Sequence, residues 1–400
     1  MIKLNKKSVV AFIALIPFFS PIYILTLPYA GLVYNFMKVV VSFLVFICFI
    51  TQRKRLSLPE LLLIFGELLI FIFTFCNNGQ ITLEFLNFIM LCTIIFLIEL
   101  YSEYFVSLLD ALILHFELCI YLNLVTLILF PERLFSRSSS AYGATYEWFL
   151  GSRNSFIVWL LPGLVVALIY RFYNRDSKRW IVLILGIIVT QFFQTSSTLI
   201  VTSTIMIILS FSPFLNRVFR PMICFILALS IQALIVIMNN VSFLAPIVEG
   251  ALGKDLTFTN RTTIWKNAIN HLSLFKGYGN LQSNEVADIL GNYGNYIWKG
   301  ATHAHNQLLN IGFQGGIILI LITLAVYYTA FWKLEVLWKN PISRVYSFGI
   351  FVYIIAGYTE VTNQLLLQLI VLLPLTIEET IVNTKYSEKK HKGLFFDEKF

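Results

Sequence analysis

Two side chains late in the longest polar passage could do proton chemistry: His303 and His305, in the run Thr302-His303-Ala304-His305-Asn306. An apolar stretch follows at once, so His305 and Asn306 stand where a helix starts near 306. A helix start presents free N–H groups and a partial positive charge, which suits an anion. The same field disfavours an imidazolium, leaving His305 neutral and able to accept a proton. Arg261 and Arg153 are the cations placed to hold that anion. Arginine grips a diphosphate through paired hydrogen bonds and keeps its charge. A neutral base beside such arginines suits transfer of a group from a diphosphate to a hydroxyl. Each residue also has a plainer use, as a histidine bonded to a loop carbonyl or an arginine anchored among headgroups. Asn306, Trp265 and His303 are read as supporting residues. His303 and His305 are two apart, and on a helix they would point nearly opposite ways, a poor chelate. With no carboxylate or cysteine close by in sequence, neither a metal site nor a cofactor is expected.

The elements that position these residues are membrane spans. Of 400 residues, 58% are hydrophobic and 12% charged, which places the chain in the polytopic membrane class and excludes soluble multidomain architecture. The net charge of +8 sits mostly in short loops that alternate along the chain, so it signals orientation and not a nucleic-acid partner. Apolar runs of about twenty residues predict roughly twelve helices. They lie near 9–29, 33–51, 58–76, 81–100, 105–130, 155–172, 180–194, 198–212, 222–243, 306–332, 345–361 and 364–383. The first, behind Lys3, Lys6 and Lys7, reads as an uncleaved span. Arg53, Lys54, Arg55, Arg171, Arg175, Lys178, Arg179, Arg217, Arg220, Lys333, Lys339 and Arg344 then fall on the side of both termini. An all-α polytopic integral membrane protein with both termini cytoplasmic is expected, as one transmembrane domain over 1–384. Two polar passages face outward, 131–154 and the large loop 244–305 before the helix near 306. A charged cytoplasmic tail, 385–400, follows. The five cysteines lie in or beside apolar runs with no metal spacing.

Inside the large loop, Thr259-Asn260 can cap a short helix opening at Arg261. Ile264, Trp265, Ala268, Ile269 and Leu272 share one face at helical spacing, which predicts an interfacial helix with Trp265 at headgroup level. Gly277 and Gly279 end it in a turn. The stretch 284–300 reads as irregular with at most one helical turn. Its aromatics Tyr293, Tyr296 and Trp298 suit either an interfacial belt or a sugar platform. Within the spans, Lys38, Glu67, Glu84, Asp110, His115 and Glu117 must face a cavity or a partner. Lys38 and Glu84 are candidates to line a substrate cavity, and such charges also fit a transporter.

These features together resemble the O-antigen ligase/polymerase superfamily of bacterial surface-polysaccharide assembly. The likeness rests on a large late loop opening with Arg261, Ile264 and Trp265. The loop continues through Gly277-Tyr278-Gly279 and closes on His305, Asn306 and Leu309, with Gly315-Gly316 beyond. Ser152-Arg153-Asn154 before a span, and the turn Thr195-Ser196-Ser197-Thr198, are weaker matches; the turn lacks the arginine that many members carry. The resemblance implies a metal-independent inverting glycosyltransferase in the bacterial cytoplasmic membrane. Its donor would be a glycan on undecaprenyl diphosphate, its surroundings membrane lipids and other polysaccharide-assembly membrane proteins. His305 would take the acceptor proton, and Arg261, with Arg153, would hold the diphosphate. A capsule or O-antigen polymerase is the favoured activity, a ligase the alternative, and a lipid-linked oligosaccharide flippase the reading from another class.

Overall fold

A computed structural model describes residues 5–139, 143–174, 177–194, 196–237, 261–362 and 364–376. The Thr259-Asn260 cap, the loop up to 260, Thr195 of the threonine/serine turn and the tail lie outside them.

The prolines of the first apolar run decide its shape. With Pro17 and Pro21 inside it, the expected span 9–29 cannot stay one helix. It is instead α1 (Lys6–Leu15), a 3-10 turn (Ile16–Phe18) and α2 (Ile22–Leu25). Runs without an interior proline give long helices: α3 (Ala30–Thr51), α4 (Leu58–Cys76), α5 (Ile81–Leu100) and α6 (Phe105–Leu129). A capping box opens α4, where Glu60 accepts from the Ser57 N–H at 2.6 Å. Then come α7 (Ile157–Tyr173), α8 (Arg179–Phe193), α9 (Ser197–Phe211), the short α10 (Leu215–Val218) and α11 (Pro221–Gln232), extended by a π-helical turn (Ala233–Ile237). The large loop carries α12 (Arg261–Asn270) and α13 (Ser283–Leu290). The chain closes with α14 (Gln307–Val336), α15 (Pro341–Ala356) and α16 (Leu365–Leu372).

Six of these helices have the length and apolarity to cross a membrane: α3 to α7 and α14. Five further apolar helices are shorter, α8, α9, α11, α15 and α16, each with its flanking turn where it has one. The interior is built around α7, which packs against α6, α8, α9, α15 and α16 and is apolar on every side, as a central helix must be. By contrast α3 leaves Leu32, Phe36, Phe43 and Ile50 exposed along its length. One departure from the all-helical expectation is a small antiparallel sheet in the passage after α6. There β1 (Phe135–Ser139) pairs with β2 (Gly143–Glu147), Phe135 opposite Glu147.

Polar groups sort to the two ends of the bundle. At one end Lys54 pairs with Glu103 at 2.9 Å, Lys7 lies over the Tyr104 ring, and Arg220 pairs with Glu335. At the other end meet the C-terminus of α4, α12, α13 and the start of α14.

Three of the charges inside the helices have partners. Glu117 is paired with Arg179, and Asp110 accepts from Ser8 at 3.4 Å. Glu84 accepts from Asn280 at 3.1 Å and from Asn87 at 3.3 Å. Glu67, and not Lys38 or Glu84, lines a cavity of about 60 Å³ with Gln307, Thr323, Tyr327, Tyr353 and Gln368.

Candidate active site

α14 is two helices. At Gly316 the backbone turns to φ 76° and ψ 179°, outside helical space, so 307–315 and 317–336 are separate pieces. A would-be Cβ on Gly312 falls 2.6 Å from the Ile320 side chain. Eight residues along a straight helix lie about 12 Å apart, so the first piece must fold back sharply. The break exposes backbone groups, and the loop after α12 satisfies them. Tyr278 and Gly279 donate to the carbonyls of Phe313 and Gln314, both at 2.9 Å. In return Ile317 and Ile318 donate to Ser273 and Leu274 at 2.9 and 3.1 Å. The expected turn at Gly277 and Gly279 is thus a strand-like insertion, and the α12 helix has already ended at Asn270. Gly279 has φ 64°, and a Cβ there would lie 2.2 Å from the Thr74 nitrogen of α4.

This insertion fixes the start of the first piece. Asn306 is fully buried. Its Oδ1 accepts from the Leu309 N–H at 3.0 Å and from Gln232 of α11 at 3.0 Å, while its Nδ2 donates to the Tyr358 carbonyl at 3.0 Å. Gln307 N–H donates to the Gly357 carbonyl at 2.7 Å, and its side chain accepts from Thr362 N–H at 2.6 Å. Two helix-start N–H groups that an anion would use are therefore already taken, and the anion-binding task falls on side chains.

His305 sits on this scaffold with φ 48°, a left-handed conformation that costs a residue with a Cβ roughly 1–3 kcal/mol. Its ring is 8% exposed, and neither nitrogen has a hydrogen-bond partner among the described residues. The His303 and His305 rings are 4.0 Å apart, edge to face. The two residues are not helical, so the opposed orientation expected of them does not hold. His303 Nδ1 accepts from the His305 N–H at 3.2 Å, which puts any proton of neutral His303 on Nε2. The Trp298 ring stacks towards His305 at 6.3 Å. Burial, then His303, then Arg261 push the His305 pKa down to about 2. Burial and then Arg261 push His303 down to about 4. Both rings are neutral at any working pH.

Arg261, the first residue of α12, bonds the Thr359 carbonyl and pairs with Glu360 at 3.2 Å. Burial raises the Glu360 pKa, and the guanidinium opposes that rise. Glu360 was missed in the sequence. Its signal was an acid in the polar run Gly357–Gln364 between the last two spans, on the side of the large loop.

The remaining candidates divide. Trp265 is 2% exposed and packs inward with Ile264 and Ala268, so it is a core residue and not a headgroup anchor. Of the face predicted to meet lipid, Ile269 alone is exposed, at 38%, with Leu272 half-buried. Arg153 is exposed in a 3-10 turn (Arg153–Phe156) before α7. Among the described residues no hydrogen bond or ion pair joins it to Arg261 or His305. The stretch after Gln282 holds two turns of helix, α13, more than the one turn expected.

Residues 148–324 match the family described as O-Antigen ligase. The matched segment contains Arg153, Arg261, Trp265, His303, His305 and Asn306, and it ends before Glu360. No curated protein and no solved structure matches the chain. Over this segment, somewhat under half of the chain, with its arginine-led loop and its buried histidine pair, the chain is similar to the O-antigen ligase/polymerase superfamily.

Proposed function

We propose that the protein is a surface-polysaccharide polymerase, acting on the outer face of the bacterial cytoplasmic membrane with both termini cytoplasmic. It moves a glycan from undecaprenyl diphosphate to a sugar hydroxyl of a lipid-linked repeat unit of capsule or O-antigen. The observation that carries this reading is a neutral His305, without a hydrogen-bond partner among the described residues, beside Arg261. His305 accepts the proton of the attacking hydroxyl, and Arg261 stabilises the diphosphate as it leaves. Attack from the face opposite the leaving group inverts the anomeric carbon without a metal. Arg153 is assigned to the same diphosphate as its second cation.

The low pKa of His305 bears on how the site is switched on. A base with a pKa of about 2 is neutral but weak. Donor diphosphate brings negative charge next to Arg261 and offsets the smallest of the three causes that hold His305 down, after burial and His303. Glu360 holds Arg261 until the diphosphate displaces it.

A ligase that moves finished polymer to another acceptor is the second reading, favoured by the description of the matched family. Deleting the protein in its host and analysing undecaprenyl-linked glycans by mass spectrometry separates the readings. Loss of long chains with outward-facing single units supports the polymerase. Long lipid-linked chains that never reach their acceptor support the ligase. Units trapped on the inner face overturn both in favour of a flippase.

A further inference from the structure

Resting on the glycan-transfer reading, we propose that the hairpin tip at Tyr293–Tyr296 is the platform that binds the sugar rings of the acceptor glycan. The hairpin is a built element. Asn292 and Ile297 pair across it, the Tyr293 N–H donates to the Tyr296 carbonyl at 3.0 Å, and the Gly294 N–H donates to the Asn292 side chain at 2.8 Å. The two tyrosine rings stack on one another, centroids 5.0 Å apart and 10° from parallel. Tyr296 is 56% exposed, so the outer face of the pair is open.

The platform is held in register with the site by two clamps. Asn267 of α12 donates from Nδ2 to the Leu290 carbonyl at 2.9 Å and to the Asn292 carbonyl at 2.8 Å, tying the hairpin to the helix that Arg261 begins. On the other strand Trp298 donates its N–H to the Gly291 carbonyl at 2.8 Å, and its ring reaches His305. Two residues of extended chain, about 7 Å, separate Tyr296 from Trp298. A short oligosaccharide lying on the tyrosines therefore ends near His305.

The surroundings decide between a sugar and a lipid headgroup layer. α13 turns Val286, Ala287 and Leu290 inward and leaves Asn284, Glu285 and Asp288 exposed, so its outer face meets water. Asp288 is paired with Lys299 at 2.7 Å on the same surface. Asn292 and Asn295 are exposed at the tip itself. Ile297 is exposed beside them, too little apolar area to hold a hairpin in lipid. Flat rings ringed by amides suit a pyranose, whose C–H face lies on the ring and whose hydroxyls bond the amides. A tyrosine supplies that area at low conformational cost.

The test uses full-length protein in detergent and, as probe, the repeat-unit oligosaccharide released by mild acid from the host's own surface polysaccharide. Binding is read by saturation-transfer NMR, without turnover, for the wild type, Tyr296→Ala and Tyr296→Trp. It is read again for each of these with His305→Ala added, so that failure of the base assignment does not affect the result. The proposal expects Tyr296→Ala to weaken binding about fivefold and Tyr296→Trp to retain it; in a separate turnover assay with His305 intact, it expects acceptor KM to rise with donor KM unchanged. It is overturned by a wild type that does not bind the oligosaccharide, or by Tyr296→Ala binding as the wild type does.

Discussion

The molecule buries two histidines in two ways. His115, in α6, is bonded to the Phe12 carbonyl at 2.8 Å and sandwiched between the Phe12 and Phe19 rings, 4.1 and 4.5 Å away. His305 is buried almost as deeply, yet it has no hydrogen-bond partner among the described residues and a backbone held in a costly conformation. One region has satisfied its histidine, and the other has kept it in readiness. Burial by itself is thus a poor marker of function. Burial combined with an unspent hydrogen-bonding capacity and a neighbouring arginine is a better one.

The widest gap between the two regions should appear on removing each ring. His305→Ala should cut polymer formation at least about 100-fold at unchanged protein level, whereas His115→Leu should lower melting temperature and leave turnover near wild type. Equal activity in both variants, read as polymer length on gels, would erase the contrast. Arg261→Lys keeps charge but loses the fork that holds Glu360 and the Thr359 carbonyl, and a loss of about 10-fold or more is expected. Wild-type rates from that variant would make the arginine an anchor.

Glu360→Gln should act more gently and in the opposite sense. With the competing carboxylate gone, donor KM should fall about two- to fivefold. A raised donor KM would mean that Glu360 orients Arg261 instead of guarding it. A last expected effect, on the fold and not on turnover, is on stability with pH. An unfolded chain protonates histidine near 6.5, whereas the fold holds His305 down to about 2 and His303 to about 4. As pH falls below 6.5 the unfolded state gains protons that the folded state refuses, so melting temperature should drop between pH 6.5 and 4. The drop should be shallower with both rings replaced by asparagine.

Much of this was legible in the chain because a bilayer leaves few choices. The long apolar runs at 33–51, 58–76, 81–100 and 105–130 became α3 to α6 nearly end for end. The run at 9–29 failed because its average hydropathy conceals prolines whose positions matter more. His303 and His305 were found by type and by their place next to a span, Arg261 by its place at the start of a loop helix, and its charge is felt at both rings. Trp265 was misjudged because helical spacing shows which residues share a face but not whether lipid or protein covers it. Glu360 escaped because its role depends on a contact across 99 residues, invisible to any local pattern.

The break in α14 has a consequence for biosynthesis. Residues 273–279 leave the ribosome before the helix whose gap they fill, and 317–336 has the length to cross a bilayer by itself at about 30 Å. The later segment can therefore insert while the earlier one is still waiting, its backbone unpaired and Leu274 and Phe275 exposed to whatever surrounds them. Only when that strand docks against Phe313, Gln314 and Thr74 do the arginine helix and the histidine pair come to rest on the same support. Newly made protein passes through an interval in which it is fully inserted and still incompetent.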